Sequence, residues 1–430
     1  MKSGLSDLMT IGIPAILFGM LALGMMVHRE LGPFVGLTPE GKWLLTVALG
    51  MGILAFVLKL GVAQLLVQSP ENTIDRLTHT DFLHQARADS DKGDFLNPAP
   101  NRPRQYVWAT LPTTAPEPAD NPGTLAKIAL GKHLFNEKQL SGDASLSCAS
   151  CHDLYEKAGS DARRTAIGIA NQVGARNVPT IWNAAFQSVL FWDGRVPSLE
   201  AQAKGPILNP IEMGMSTPAE AERRLNADPT YRARFALAFG EGQAITFERI
   251  VQAIAAYERT LITADTPYDR YVRGESTALN QAQLRGMALF EAVGCVLCHR
   301  GPNFSDASLL DGETPLRFFP ANPTPYDEKY KLLTESGERG VWRVPSLRNV
   351  ALTGPWLHNG SVDKLDEVVR IMASAQLGRS TQLMTWLNKD SALDKVDRSP
   401  LSDRDSHDIV AVRESLSSDG LRKKMAPTTP

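Results

Sequence analysis

Apolar residues recur every three to four positions through most of this chain, a period that predicts helices. Ile250, Val251, Ile254, Tyr257 and Leu261 form one stripe behind Thr246, whose hydroxyl is placed to cap a helix start. Ser216-Thr-Pro218 opens another helix with proline in its first turn. Asp363 precedes a third, with Leu365, Val368, Val369 and Met372 on one side, and Asp408–Leu416 gives a last helix. Alternating strand patterns are nearly absent, so the expected fold class is all-α.

Two stretches break the amphipathic rhythm by being apolar all round. Met9–Val27 is nineteen residues without a charge, about the minimum for a helix crossing ~30 Å of hydrocarbon. Trp43–Val67 is longer and interrupted by Lys59, which can snorkel or face a partner helix. Their connector, His28–Lys42, carries Arg29 and Lys42, a weak positive-inside signal. The expectation is a transmembrane helical hairpin. A single signal anchor with a peripheral second helix is the alternative. From Gln68 to Asp120 the chain is polar and then proline-rich, reading as a tether without a core of its own. The formal net charge is −2 and no basic block occurs, which argues against nucleic acid as a partner.

The chain has four cysteines, and two copies of one motif use them all: Cys148-Ala-Ser-Cys151-His152 and Cys295-Val-Leu-Cys298-His299. Two sulfurs at this spacing can add to the two vinyl groups of one heme while the next histidine reaches its iron. Zinc fits less well, because each motif offers three ligands and the two lie far apart. A redox dithiol needs no histidine after its second cysteine, and here that histidine appears twice. Two covalently bound heme c groups are therefore expected. Heme c is attached outside the bacterial cytoplasm, so the motifs must be translocated. A hairpin achieves this with both termini outside, which implies a bacterial inner-membrane protein with its heme domains in the periplasm.

The two motifs lie in an internal duplication. Gly131-Lys-His-Leu134-Phe135 precedes the first and Gly286-Met-Ala-Leu289-Phe290 the second. Val178-Pro-Thr-Ile-Trp-Asn183 matches Val344-Pro-Ser-Leu-Arg-Asn349, and the offset of 166 holds through Asp193-Gly194 with Asn359-Gly360 and Leu199-Glu200 with Leu365-Asp366. The expected organisation is a membrane hairpin over 1–70, a tether over 71–120, two homologous cytochrome c-like heme domains over 121–265 and 266–420, and a tail over 421–430.

From about Leu130 to Leu416 the chain resembles the bacterial diheme cytochrome c peroxidases and their MauG-type relatives. The resemblance rests on Arg176-Asn-Val-Pro-Thr180, Phe191-Trp-Asp-Gly-Arg195, Gly205-Pro-Ile-Leu-Asn-Pro-Ile-Glu-Met-Gly214 and Val344-Pro-Ser-Leu-Arg-Asn-Val-Ala-Leu-Thr353. It implies a peroxidatic N-terminal heme, an electron-accepting C-terminal heme, and hydrogen peroxide as substrate. Met372, plain core by spacing alone, is by resemblance the second iron ligand of the His299 heme, where thioether and imidazole together raise the potential. MauG-type enzymes have a tyrosine there. Glu212, otherwise a loop carboxylate, aligns with the catalytic glutamate that moves a peroxide proton. Gln202, otherwise an exposed helix residue, aligns with the distal glutamine, and Trp192 with the tryptophan between the hemes. The resemblance also implies one calcium ion at Asn177 and the carbonyls of Thr353 and Pro355. His358 is expected near the second heme.

One position departs from the family. The loop Ala166–Gly174 has Ile169 where many peroxidases have a histidine that ligates the resting peroxidatic iron. An isoleucine cannot do so. Two alternatives stand beside the peroxidase: a MauG-type oxidase of a protein or peptide, and a diheme electron carrier. The donor implied is a small cytochrome c, a cupredoxin or quinol, and a homodimer is an open option.

Overall fold

Thr124 accepts the Lys127 amide and starts α1 (Leu125–Phe135). The helix crosses α6 (Phe247–Glu258) at Gly131, where a Cβ would stand 1.9 Å from the carbonyl oxygen of Ala253. Only glycine permits that approach. The same contact recurs later in the chain. There α8 (Gln281–Val293) meets α11 (Asp403–Ser415) at Gly286, whose Cβ would stand 1.9 Å from the Asp408 carbonyl oxygen. Each crossing is the spine of one core. The first gathers Leu130, Leu134, Phe235, Ile250 and Ile254; the second gathers Met287, Phe290, Phe304, Ile409 and Val412.

These coordinates are a computed structural model describing residues 25–29, 36, 38–48, 50–51, 106–377 and 401–426. Between α1 and α6 run α2 (Cys148–Cys151), α3 (Leu199–Leu208), α4 (Pro218–Ala227) and α5 (Pro229–Phe239), and α7 (Pro267–Val272) lies between the two spines. After α8 come β1 (Leu316–Phe319), α9 (Tyr326–Lys329), β2 (Gly340–Arg343) and α10 (Leu365–Ile371), and α12 (Asp419–Met425) follows α11. The cap expected at Thr246 forms, and Thr217 caps the helix that Pro218 opens.

The duplication extends to single hydrogen bonds. Asn183, in left-handed conformation, donates its amide to Leu261 O (2.8 Å) and accepts from Thr263 N (2.8 Å). Asn349, also left-handed, donates to Leu416 O (3.0 Å) and accepts from Ser418 N (3.0 Å). Both asparagine Nδ2 groups then donate to the one hydroxyl of Thr263, at 2.8 and 2.9 Å. The halves also exchange reciprocal backbone bonds, Asn177 N to His358 O at 2.9 Å and Arg343 N to Trp192 O at 2.7 Å. Asn177 and Arg343 are 166 residues apart, as are Trp192 and His358. The interface is thus isologous within one chain, the arrangement of a C2 dimer.

Four details differ from the sequence reading. A two-stranded antiparallel ribbon, Leu316↔Arg343 to Phe319↔Gly340, adds a β element to an otherwise helical fold. The helix read as Asp408–Leu416 begins at Asp403, because a Ser402/Asp405 capping box starts it a turn earlier. α12 follows it, so the segment read as tail from 421 is partly helical. Residues 106–120, read as tether, are anchored: Leu111 is buried, its amide bonds Asp269 (3.2 Å), and Trp108 packs on Tyr268, Phe290 and Phe304. The two apolar runs assigned to the hairpin lie mostly outside the described residues, and among the described residues no helix is long and apolar enough to cross a membrane.

Candidate functional site

Each Cys-x-x-Cys-His motif presents its histidine in the state a metal ligand needs. His152 follows α2, and its Nδ1 lies 3.0 Å from the carbonyl oxygen of Gly159. His299 follows a single 3₁₀ turn, with Nδ1 3.1 Å from Phe304 O. Nδ1–H donates in both, so Nε2 keeps its lone pair for iron. Burial also holds both imidazoles neutral, pushing His299 down to about 4 and His152 in the same direction. None of the four cysteines is in a disulfide, and all are half-buried. This donor set fits two thioether-linked hemes.

Around the first motif, the turn after α3 carries Glu212. Its Oε1 accepts from Asn209 Nδ2 at 2.9 Å. Burial pushes the carboxyl above its ordinary range, while the Arg195 charge and the Asn209 bond pull it back. Cys151 is within electrostatic reach of it. The loop holding Ile169 lies directly on this turn: Ile169 N donates to Glu212 O at 2.9 Å, and a Cβ on Gly168 would meet Ile211 O at 1.8 Å. Ile169 therefore braces the backbone of Glu212. Gln202 is half-buried on α3.

Met372 is half-buried against Leu365, Val368 and Ile371 and begins a five-residue π-helical turn, Met372–Gln376, after α10. Such turns concentrate at functional sites. α10 starts 166 residues after α3, so the position matching Met372 is Pro206, inside α3. A thioether stands in one half where the other has a side chain that cannot bind iron.

Trp192 reaches into the other half. Its Nε1 donates to Asn177 O at 2.8 Å, and it meets its counterpart His358 edge-on at 6.5 Å. His358 is buried, stacked on Trp342 at 4.3 Å, and pushed down to about 4 by burial. Asn177 is buried and donates Nδ2 to Arg163 O at 2.8 Å, which leaves Oδ1 to take a cation. The Asn177–His358 bond brings it beside the segment containing Thr353 and Pro355. Among the described residues no cluster of three or more His, Cys, Asp or Glu forms a metal site, so a calcium ion would depend on these neutral oxygens.

Two buried ionisable groups escaped the sequence reading. Glu258 ends α6 with Oε2 unpartnered, and burial pushes it up to about 8. Arg413, on α11, is 3% exposed with Nε unpartnered. They occupy equivalent places, since Ala253 and Asp408 make the matched helix crossings. The available signal was Glu258 itself, four residues beyond Ile254 and so on the inward stripe.

A family model described as di-haem cytochrome c peroxidase matches residues 125–277. The cytochrome c551 peroxidase of Nitrosomonas europaea is 38% identical over 281 residues, 65% of this chain and 80% of that protein. Cytochrome c peroxidase Ccp of Escherichia coli K12 is 38% identical over 280 residues, 65% of this chain; the match spans 57% of the E. coli protein. A crystal structure of a MauG-like protein associated with microbial copper homeostasis superposes with a TM-score of 0.59 at 30% identity, covering 77% of this chain and 99% of that one.

Proposed function

The chain belongs to the di-haem cytochrome c peroxidase family, and from that premise we propose that it reduces hydrogen peroxide to water at the His152 heme with electrons arriving through the His299 heme. The observation that carries this reading is the inequality of two matched positions, Met372 in one half and Pro206 in the other. Met372 would offer its thioether to the heme of the second half, whereas Pro206 has no donor to offer to the first.

Bound heme supplies an iron that takes a peroxide oxygen in the first half and one that holds and passes an electron in the second. Glu212 accepts the proton of the near oxygen and returns it to the leaving oxygen, so that two electrons and two protons yield two waters. Asn209 and the backbone bond from Ile169 fix its position. Gln202 would hydrogen-bond the peroxide beside Glu212, and Trp192 bridges the halves. Met372 keeps the second potential high. Asn177, Thr353 and Pro355 take one calcium ion, whose removal by chelation lowers activity and loosens the interface. The donor is a small cytochrome c, a cupredoxin or quinol, and two copies of the chain can associate.

The apolar runs Met9–Val27 and Trp43–Val67 tether the heme domains (121–265 and 266–420) to the inner membrane from the periplasmic side. A reporter fused near Val35 should be cytoplasmic and one near Asp120 periplasmic; a periplasmic signal at Val35 rejects the hairpin. A second activity, MauG-type oxidation of a protein or peptide, draws support from the 30% identical MauG-like structure and is opposed by Met372.

Ile169 gives the decisive test. With no ligand in that loop, the resting enzyme should show one high-spin ferric signal beside one low-spin signal in electron paramagnetic resonance. It should also turn over peroxide without prior reduction. Two low-spin hemes, with a lag abolished only by pre-reduction, overturn the open-site reading.

A further inference from the structure

Among the described residues three arginines are buried in the C-terminal half, and one is unlike the others. Arg348 is fully enclosed and fully satisfied: Nη1 and Nη2 grip Asp269 at 2.6 and 3.0 Å, and Nε donates to Pro302 O at 2.9 Å. Arg343 donates to Gln187 Oε1 at 2.7 Å and to Phe191 O at 3.1 Å. Arg413, equally buried, has no hydrogen bond or counter-ion among the described residues. Burying an unpaired guanidinium costs several kcal/mol, and among the described residues no carboxylate offsets that cost for Arg413.

Arg413 lies on the buried helix within electrostatic reach of the second heme motif. Val412, next to it, belongs to the buried cluster against which Cys295 and Val296 pack. The guanidinium is electrostatically coupled to both Cys295 and His299. A heme c with its two carboxylates is net anionic in both oxidation states, and by one unit more when ferrous. A fixed cation beside it therefore attracts both states and favours the reduced one. In a low-dielectric interior that difference is large. The matched position of the first half holds Glu258, packed at Cys148 through its neighbour Tyr257, which cannot supply positive charge.

We propose that Arg413 sets the C-terminal heme apart from the N-terminal one by raising its reduction potential, acting as an electrostatic positioning residue beside Cys295 and His299 and in addition to Met372. The proposal rests on the two-heme reading given above. It requires no contact with substrate.

The test is a spectroelectrochemical titration of the purified full-length protein and of Arg413→Leu, Arg413→Lys and Glu258→Gln, each first assayed for two covalent hemes by pyridine hemochrome. Arg413→Leu should make reduction of the C-terminal heme at least tenfold less favourable, a drop of 59 mV for one electron, and leave the N-terminal potential in place. Arg413→Lys, which keeps the charge, should retain most of the potential, and Glu258→Gln should leave the C-terminal value unmoved. Replacing a buried unpaired charge by an apolar side chain is commonly tolerated; should Arg413→Leu lose heme, Arg413→Gln carries the same expectation. Two hemes present with the C-terminal potential unchanged, or both potentials lowered equally, overturn the role of Arg413. A wild-type protein without a second covalent heme overturns the two-heme reading instead.

Discussion

In the N-terminal half, Asn183 ties the end of its spine helix to the turn that follows, and Trp182 beside it donates its indole Nε1 to Leu154 O at 2.9 Å. In the C-terminal half, Asn349 makes the same tie, but Arg348 stands in place of Trp182 and is clamped to Asp269 with both partners fully buried. The same exchange of chemistry on a shared backbone occurs at Pro206 and Met372 and at Glu258 and Arg413. Backbone-to-backbone bonds, glycine crossings and asparagine turns are common to both halves. Beside the β ribbon of the C-terminal half and the π-helical turn at Met372, the chemical differences fall on side chains facing a heme motif or a core. Duplication of the scaffold therefore left each iron site free to change by single substitutions, while the spines that hold it stayed fixed.

The largest effect separating the halves should be on stability. Arg348→Ala strands the Asp269 carboxylate in the interior, and breaking one side of a buried pair typically costs about 3–5 kcal/mol. Trp182→Phe, at the matched place, loses one hydrogen bond and should cost about 1 kcal/mol. Urea unfolding of the two holo variants compares them directly. Equal losses would mean that the halves are supported alike at this point.

Catalysis should separate the halves next. Glu212→Gln removes the proton-moving group and should cut peroxide turnover about 10²-fold while sparing both reduction potentials. Met372→Ala should do the reverse. It should lower the C-terminal potential, by about tenfold or more in the equilibrium constant for its reduction, and slow turnover only as far as electron delivery limits it. Its N-terminal spectrum should stay as in the wild type. If Glu212→Gln turns over normally, proton transfer belongs to another residue.

The helices and their spacing were legible because amphipathic stripes are written directly into the chain; Ile250 to Leu261 behind Thr246 is the clearest case. The duplication was legible too, through glycines and asparagines whose backbone roles admit few substitutes. Other features depend on the fold. Trp108 and Leu111 sit in a proline-rich segment and look like linker until their burial against Tyr268 and Asp269 is seen. The β ribbon pairs four-residue segments more than twenty positions apart, too short to show a period. Arg413 reads as one more polar position on an amphipathic helix. Only the Gly286 crossing shows that it turns inward.

The smallest effect is the most specific to the first half. Glu212 must be ionised to accept a proton from peroxide, so the active fraction falls as pH falls through its pKa. Burial raises that pKa above the ordinary carboxylate value of about 4.3, and the Arg195 charge partly offsets the rise. Arg195 itself is about half exposed, pairs with Asp193 at 2.8 Å and lies over the Phe191 ring at 3.5 Å. Its influence on Glu212 is therefore screened and modest. Arg195→Gln removes an opposing positive charge, so the carboxyl should rise further and the acid limb of turnover should move to higher pH, most visibly at low salt. Added salt should shrink the shift in the wild-type-to-variant comparison. The C-terminal potential should not respond, because the Arg195 charge acts on Glu212 in the first half. Arg164→Gln, which removes an exposed partner of Asp363, is the matched surface control and should leave the limb in place. An acid limb that stays fixed at low salt, or moves to lower pH, would show that the titrating group is not Glu212.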